Sequence, residues 1–258
     1  WCPAGHVIGA SMHAANPNDV FLINVHTGGF ANPNGPSDPN FNSDFGAQLA
    51  TNANCTGYPT GSVNRRIFPV NPGGTAMSRS DWNASAQTVL AEPSPVNIGA
   101  QASYDMATGI LTVDVETYYT QTVTNANVLH IAVVQNNMPG PQTGAVANGD
   151  PASIISGPWN PTYNHQHVLR HFMTGANGLE YTTTTAGTFV PQQLTWNIPT
   201  PFTIAQAGSG YVPDIDPTNL AIIAYIDEGG SDVLTGTQAA VVPIFPNAYD
   251  ANVTSSSA

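Results

Sequence analysis

Apolar positions recur along this chain at two different periods, and the period changes near residue 95. Between residues 3 and 15, Val7, Ile8, Ala10, Ser11 and Ala14 fall at helical spacing, and Asn16-Pro17 ends the run. Residues 19–26, DVFLINVH, are almost continuously apolar, the pattern of a strand covered on both faces. A Gly/Asn/Pro-rich loop follows, then a short helix over 43–51, a turn over 55–61, a strand over 62–70 and a Ser-capped helix over 78–92. This alternation predicts an α/β layer over residues 1–92, with one more strand expected before Trp1.

Beyond residue 95 the runs are short, rich in Val, Ile, Thr and Tyr, and separated by turn residues. NIGAQASYD, GILTVDVETYYTQT, NVLHIAVVQNN, NHQHVLRHFMTG, AGTFVPQQLTWNIP, NLAIIAYID and DVLTGTQAAVVPIF all read as strands, and residues 105–109 as a hairpin turn. Such a series without helices predicts an antiparallel, Ig-like β-sandwich over 98–250. Residues 93–97, with Pro93 and Pro95, form a stiff linker, and 251–258 a polar tail. The predicted fold class is thus α/β plus all-β.

Charge narrows the functions. The chain has no lysine; Arg65, Arg66, Arg79 and Arg170 are its cations against 16 acids, for a net charge of -12. That excludes nucleic acid as a partner, because phosphate binding needs a cationic footprint. Charged residues make up 8% of the 258, so Asn, Thr, Ser and Gln must cover the surface. A surface of this kind is weakly protected against self-association. It suits either secretion or burial in an assembly. No apolar run approaches the length of about 18 residues that a membrane helix needs. No basic, apolar leader stands at the start either, and residues upstream of Trp1 are expected.

Several stretches together resemble one family. CPAGH at the start, LINVHTGG (22–29), TGYPTGSVNRR (56–66), YDMATGILTVDVETYYT (104–120), YNHQHVLRHFMTG (163–175) and PTNLAIIAYI (217–226) are similar to the outer-membrane-protein-28-related proteins of Bacteroidetes-type bacteria. The resemblance implies a thioredoxin-like domain followed by a β-sandwich. It also implies export to the outer-membrane surface or beyond, and says little about activity. In that family a C-x-x-C commonly precedes P-x-G-H, so Cys2 takes the place of the second cysteine and the first lies upstream of Trp1.

Candidate chemistry starts at Cys2. A thiol at a helix N-terminus is the nucleophile of thioredoxin-type exchange, and Pro59 in GYPTG resembles the cis-proline turn that faces it in that fold. Three states remain open: Cys2 paired with an upstream cysteine, a Cys2–Cys55 disulfide, or two reduced thiols buried as small apolar residues. His165, His167 and His171 offer imidazoles for zinc or copper if a strand sets two on one face; otherwise they are hydrogen-bonding groups at a junction or surface. His6 and His26 also stand to converge, since residue 26 ends the strand beside the start of the helix. Arg65, Arg66 and Arg170 read as structural ion pairs, with Asp44, Asp81, Asp114 and Glu116 as partners. Residues 148–153 and 213–219 carry oxygen ligands for calcium but lack the EF-hand pattern, so no cofactor is predicted. Nucleophile-elbow, P-loop and Rossmann motifs are absent. The leading reading is an exported structural or interaction protein that associates with itself or with other cell-surface proteins. The alternative is an extracytoplasmic thiol–disulfide oxidoreductase using Cys2. A third, sugar binding through Trp159 and Tyr163, rests on fold alone.

Overall fold

Pro3 in the first turn opens α1, Cys2–Ala15, in a computed structural model that describes residues 1–157, 162–205 and 209–246. Gly5 and Gly9 are buried on α1, and their missing side chains set its packing distance. A Cβ on Gly5 would lie 3.2 Å from the Trp82 ring, and one on Gly9 would lie 3.5 Å from Leu22. Residues 20–26 run extended beneath the helix. They pair only through parallel bridges, Asn24 with Val168 and His26 with Asn42. Two further helices follow, α2 Gly46–Asn52 and α3 Trp82–Leu90, each shorter at its start than the sequence pattern predicts. No helix among the described residues is long and apolar enough to cross a membrane.

The predicted strand over 62–70 does not form. Asn64 and Arg65 have φ of 48° and 51°, in the left-handed region, and the chain turns there. Tertiary bonds override the alternation: Asn64 exchanges two hydrogen bonds with Val233, at 2.7 and 2.9 Å, and Arg65 reaches Asp227 in the β-rich part.

The β-rich part holds β1 Val96–Asp105, β2 Ile110–Tyr119, β3 Asn127–Gln135, β4 Met138–Pro141, β5 Ile154–Ser156, β6 Thr162–His165, β7 Val168–Phe172, β8 Leu179–Tyr181, β9 Phe189–Asn197, β10 Leu220–Glu228 and β11 Ser231–Ile244. The first two form the predicted hairpin, its turn closed by Gly109 at φ 74° and by Asp105 accepting from Ala107 N. The main sheet runs β7-β3-β10-β11-β1-β2-β9, with β8 also on β3; β4, β6 and β5 form a small sheet beside it. One pair departs from the antiparallel expectation, since β1 lies parallel to β11. The first part of the long β11 pairs with β10 and its last part with β1, so the sheet curls over itself. Trp196 of β9 stacks on His171 of β7 at 4.1 Å, joining the two edges of the curl.

Two apolar clusters meet back to back across β3 and β10. Leu111, Val113, Leu129, Ile131, Val133, Ile222, Ala224 and Ile226 fill the inside of the curl. On the other side of the same strands, Ala132, Val134, Ala221, Ile223 and Tyr225 are covered by Phe21, Ile23, Val25, Phe45 and Leu49. The N-terminal layer therefore buries its apolar residues on the curled sheet, which is why β10 is apolar at nearly every position.

Candidate functional site

The start of α1 lies where the N-terminal layer meets the small sheet. Cys2 is an exposed free thiol in the first helical turn, and His6 is one turn further along. The Tyr58–Pro59 peptide is cis, and a Cβ on Gly5 would lie 3.6 Å from Pro59 Cβ, so this loop sits against the first turn of α1. Trp1, 70% exposed, stacks beneath the Arg79 guanidinium at 4.9 Å. Cys55 is also a free thiol, donating weakly to Gly57 O at 3.4 Å. Cys2 and Cys55 are not joined to each other, so the disulfide between them is not formed in this structure. Cys2 is not buried, as the state with two reduced thiols was expected to have it.

Two groups from the β-rich part complete the cluster. Asp150 precedes a short 3-10 turn, and Tyr163 is on β6. The Tyr163 hydroxyl donates to Asp150 Oδ2 at 2.5 Å, and His6 Nδ1 lies 2.8 Å from the same oxygen and 2.9 Å from the hydroxyl. Ser153 donates to the other carboxylate oxygen at 2.9 Å. An ionised carboxylate only accepts, so the Nδ1–H of His6 donates to Asp150. Burial pushes the Asp150 carboxyl up, but donation by Tyr163, His6 and Ser153 outweighs it and holds the group below the usual range. Tyr163 is pushed well above the ordinary phenol value by burial first, then by Asp150, with a smaller push from the Cys2 thiol.

His165 projects from the same face of β6 as Tyr163, with ring centres 4.9 Å apart. It also meets His26 at 5.3 Å, against Phe41. Burial lowers His26 to about 4, with help from Arg170, and lowers His165 to about 3, with help from His26. Both are neutral, and His26 Nδ1 and His165 Nε2 are sealed from solvent without a hydrogen-bond partner.

The predicted triplet does not assemble. His167 occupies a left-handed bend, φ 54°, between β6 and β7, which ends the strand alternation that would have set it beside His165. Its ring faces His13 at 6.1 Å, while His171 is stacked on Trp196. Among the described residues no group of three His, Cys, Asp or Glu could hold a metal. The calcium loops are spent internally: Asp216 caps Thr218 and Asn219, Pro213 O accepts from Arg170, and Asp150 is engaged as above. Tyr163 is 3% exposed, which removes it as a sugar platform; Trp159 lies outside the described residues.

Arg65 and Arg66 form ion pairs, but not with the predicted acids, and Arg170, expected to pair as well, makes no ion pair among the described residues. Arg65 binds Asp227 at 2.6 Å and Gly230 O at 2.6 Å, and Asp227 also meets His130 at 2.8 Å. Arg66 binds Asp232 and Glu92, both at 2.8 Å. Arg170 bonds the Pro213 carbonyl at 2.5 Å and lies over Phe202 at 4.7 Å; burial lowers it to about 10 against the pull of nearby Asp214. Asp44 and Asp114 are occupied by Ala205 N and Gln193 instead. Asp150 escaped the sequence reading because it is 144 residues from His6, with no local signal linking them.

Comparison with known proteins adds a setting. The family model described as outer membrane protein Omp28 matches residues 46–243, a span that includes Pro59, Asp150 and Tyr163 but stops short of Cys2 and His6. No curated protein sequence matches the chain. HBP35 of Porphyromonas gingivalis is similar in structure, with a TM-score of 0.54 and 13% identity over 78% of this chain. The match covers 58% of HBP35, so this chain spans less than two thirds of that protein. A β-glucosidase from Listeria innocua (TM-score 0.27, 11% identity, 59% of this chain and 16% of that one) is too distant to carry an argument. The same holds for a Niemann-Pick type C2 protein from Japanese carpenter ant (0.23, 12%, 58% and 95%).

Proposed function

The chain belongs to the outer membrane protein Omp28 family, which makes it an extracytoplasmic, cell-surface protein, and from that premise we propose that its N-terminal layer is thioredoxin-like and performs thiol–disulfide exchange at Cys2. The observation that carries this reading is the meeting of an exposed thiol in the first turn of α1 with the Pro59 loop packed on Gly5 of the same turn. An exposed cysteine is open to attack a disulfide through its thiolate form. The β-rich part serves as the rigid support against which the layer is fixed.

Reaction of the Cys55→Ser protein with 4,4′-dithiodipyridine at neutral pH tests the reading. Cys2 is expected to form the mixed disulfide about tenfold faster than a cysteine in an unstructured peptide. A rate equal to that of the peptide overturns the proposal, and Cys2→Ser in the same background gives the blank.

A second reading, self-association, is favoured by one observation. The outer face of β1, β2, β9 and β11 presents Tyr118, Phe189, Val242 and Ile244, each 45% to 60% exposed and all on one side of the sheet. Light scattering that finds only monomer across a wide range of concentration overturns it.

A further inference from the structure

We propose that His6, held in place by Asp150 and Tyr163, is the proton acceptor for the Cys2 thiol, so that the working group is assembled from both parts of the chain. The inference rests on the thiol-exchange reading and deepens it by naming the group that governs the state of the thiol.

Residues four apart on a helix share a face, which sets His6 beside Cys2 on α1. The Cys2 thiol bears electrostatically on Tyr163, whose hydroxyl is 2.9 Å from His6 Nδ1. Asp150 accepts a hydrogen bond from His6 Nδ1–H at 2.8 Å, which leaves Nε2 as the ring nitrogen to act as the base. Both supports are buried, Asp150 at 5% exposure and Tyr163 at 3%, so the imidazole is held by groups that do not move with solvent. A second observation marks the same place: His165, 7% exposed and next to Tyr163 on one face of β6, keeps Nε2 without a partner. A buried imidazole nitrogen left open in a packed structure needs a reason, and a working site supplies one.

The step balances without a further reagent. The Cys2 S–H proton passes to His6 Nε2, and the thiolate attacks one sulfur of a disulfide. A new S–S bond forms to Cys2 as the old one breaks. The departing sulfur leaves as a thiolate and recovers the proton from His6. Cys2 sulfur is oxidised and the departing sulfur reduced, with the disulfide as oxidant.

The groups facing His6 are Asp150 and Ser153 from the loop before β5, Tyr163 and His165 from β6, and His167 from the bend after it. Those facing groups that can carry charge are one engaged carboxylate, a phenol kept protonated and two imidazoles kept neutral.

The test is the pH–rate profile of 4,4′-dithiodipyridine with the Cys55→Ser protein, alone and with His6→Gln, Asp150→Asn or Tyr163→Phe. The parent profile is expected to flatten through neutral pH. The His6→Gln profile is expected to climb about tenfold per pH unit over the same range, as for an unassisted thiol, with roughly tenfold less rate at pH 7. Asp150→Asn is expected to give an intermediate profile, and Tyr163→Phe a smaller change, because it leaves the Asp150 bond to His6. Coincident parent and His6→Gln profiles overturn the inference while leaving thiol exchange standing. A parent rate no faster than the unstructured peptide overturns the exchange reading itself. Far-ultraviolet circular dichroism on each variant separates a lost base from a lost fold, and His6→Asn, which keeps a small polar side chain there, gives a second variant for the same comparison.

Discussion

The two faces of β10 are held by different physics. Ile222, Ala224 and Ile226 point into the curled sheet, where they pack with apolar side chains such as Leu111, Leu129 and Ile131. Ile223 and Tyr225 point the other way, under the N-terminal layer, and Asp227 follows them on that face, fully buried between Arg65 and His130. Around this second contact lie His26, His165 and His167, all kept neutral largely by burial. The inner core depends on dry apolar contact, which pH and salt barely touch. The seam adds ionisable groups to similar apolar contact, so its strength is conditional on solution conditions.

Acid is expected to break the comparison most strongly. The folded seam holds His26 and His167 near 4 and His165 near 3, against 6.5 in the unfolded chain. Above pH 6.5 neither state is protonated and these groups add nothing to stability. Between 6.5 and the folded values the unfolded chain binds protons that the folded chain refuses, so stability falls as pH falls. Each group contributes up to about 1.4 kcal/mol per pH unit, giving a limit of about 4 for the three, reduced for half-exposed His167. Urea unfolding at pH 7.5, 6 and 5 measures the slope. Hydrogen exchange is expected to rise first in residues 20–26, while β2 and β3 stay protected. Equal acid sensitivity in both regions contradicts the division.

Removing Asp227 cuts the ionic join of the two regions. Asp227→Ala leaves Arg65 and His130 without their carboxylate, and losing one partner of a buried pair costs about 3–5 kcal/mol. Arg65→Gln is expected to cost less, because His130 still bonds Asp227. Thermal melts of both variants rank them, and the reverse order contradicts this account of the triad.

A matched pair on β10 sharpens the contrast. Ile222→Ala and Ile223→Ala each remove a buried side chain, with expected losses of about 2–5 kcal/mol. Limited proteolysis is expected to separate them: Ile223→Ala exposes the loop after residue 26 to cleavage before the curled sheet unfolds, and Ile222→Ala does not. If both are cut alike, the two faces form one cooperative unit.

The same strand shows what the sequence could reveal. The unbroken apolar run of β10 and the alternation of β2 were legible, as was the Asp105–Gly109 turn, because each is written in neighbouring residues. The strand expected over 62–70 was not legible as a turn, since Asn64 and Arg65 are turned by Val233 and Asp227, more than 160 residues away. The site divides in the same way. Cys2 at a helix start and Pro59 in its turn could be read locally, whereas Asp150 and Tyr163 reach His6 only through the fold. His167 misled because strand parity gives no warning of a left-handed bend.

The smallest expected effect concerns a seam contact that is not buried. Arg66 grips Glu92 past the end of α3 and Asp232 at the start of β11, so it ties the end of the helix to the curled sheet. Arg66 is partly exposed, and Glu92 is 46% exposed in its side chain, so water screens the pair. Glu92→Ala also leaves Arg66 bonded to Asp232, and no charge is stranded out of solvent. The expected loss is below about 1 kcal/mol and shrinks further in concentrated salt. Urea unfolding in dilute and in concentrated sodium chloride measures both quantities. A larger loss that salt does not reduce means that Arg66 belongs with Arg65 in the buried, pH-sensitive part of the seam, and the boundary drawn between the two regions moves outward to α3.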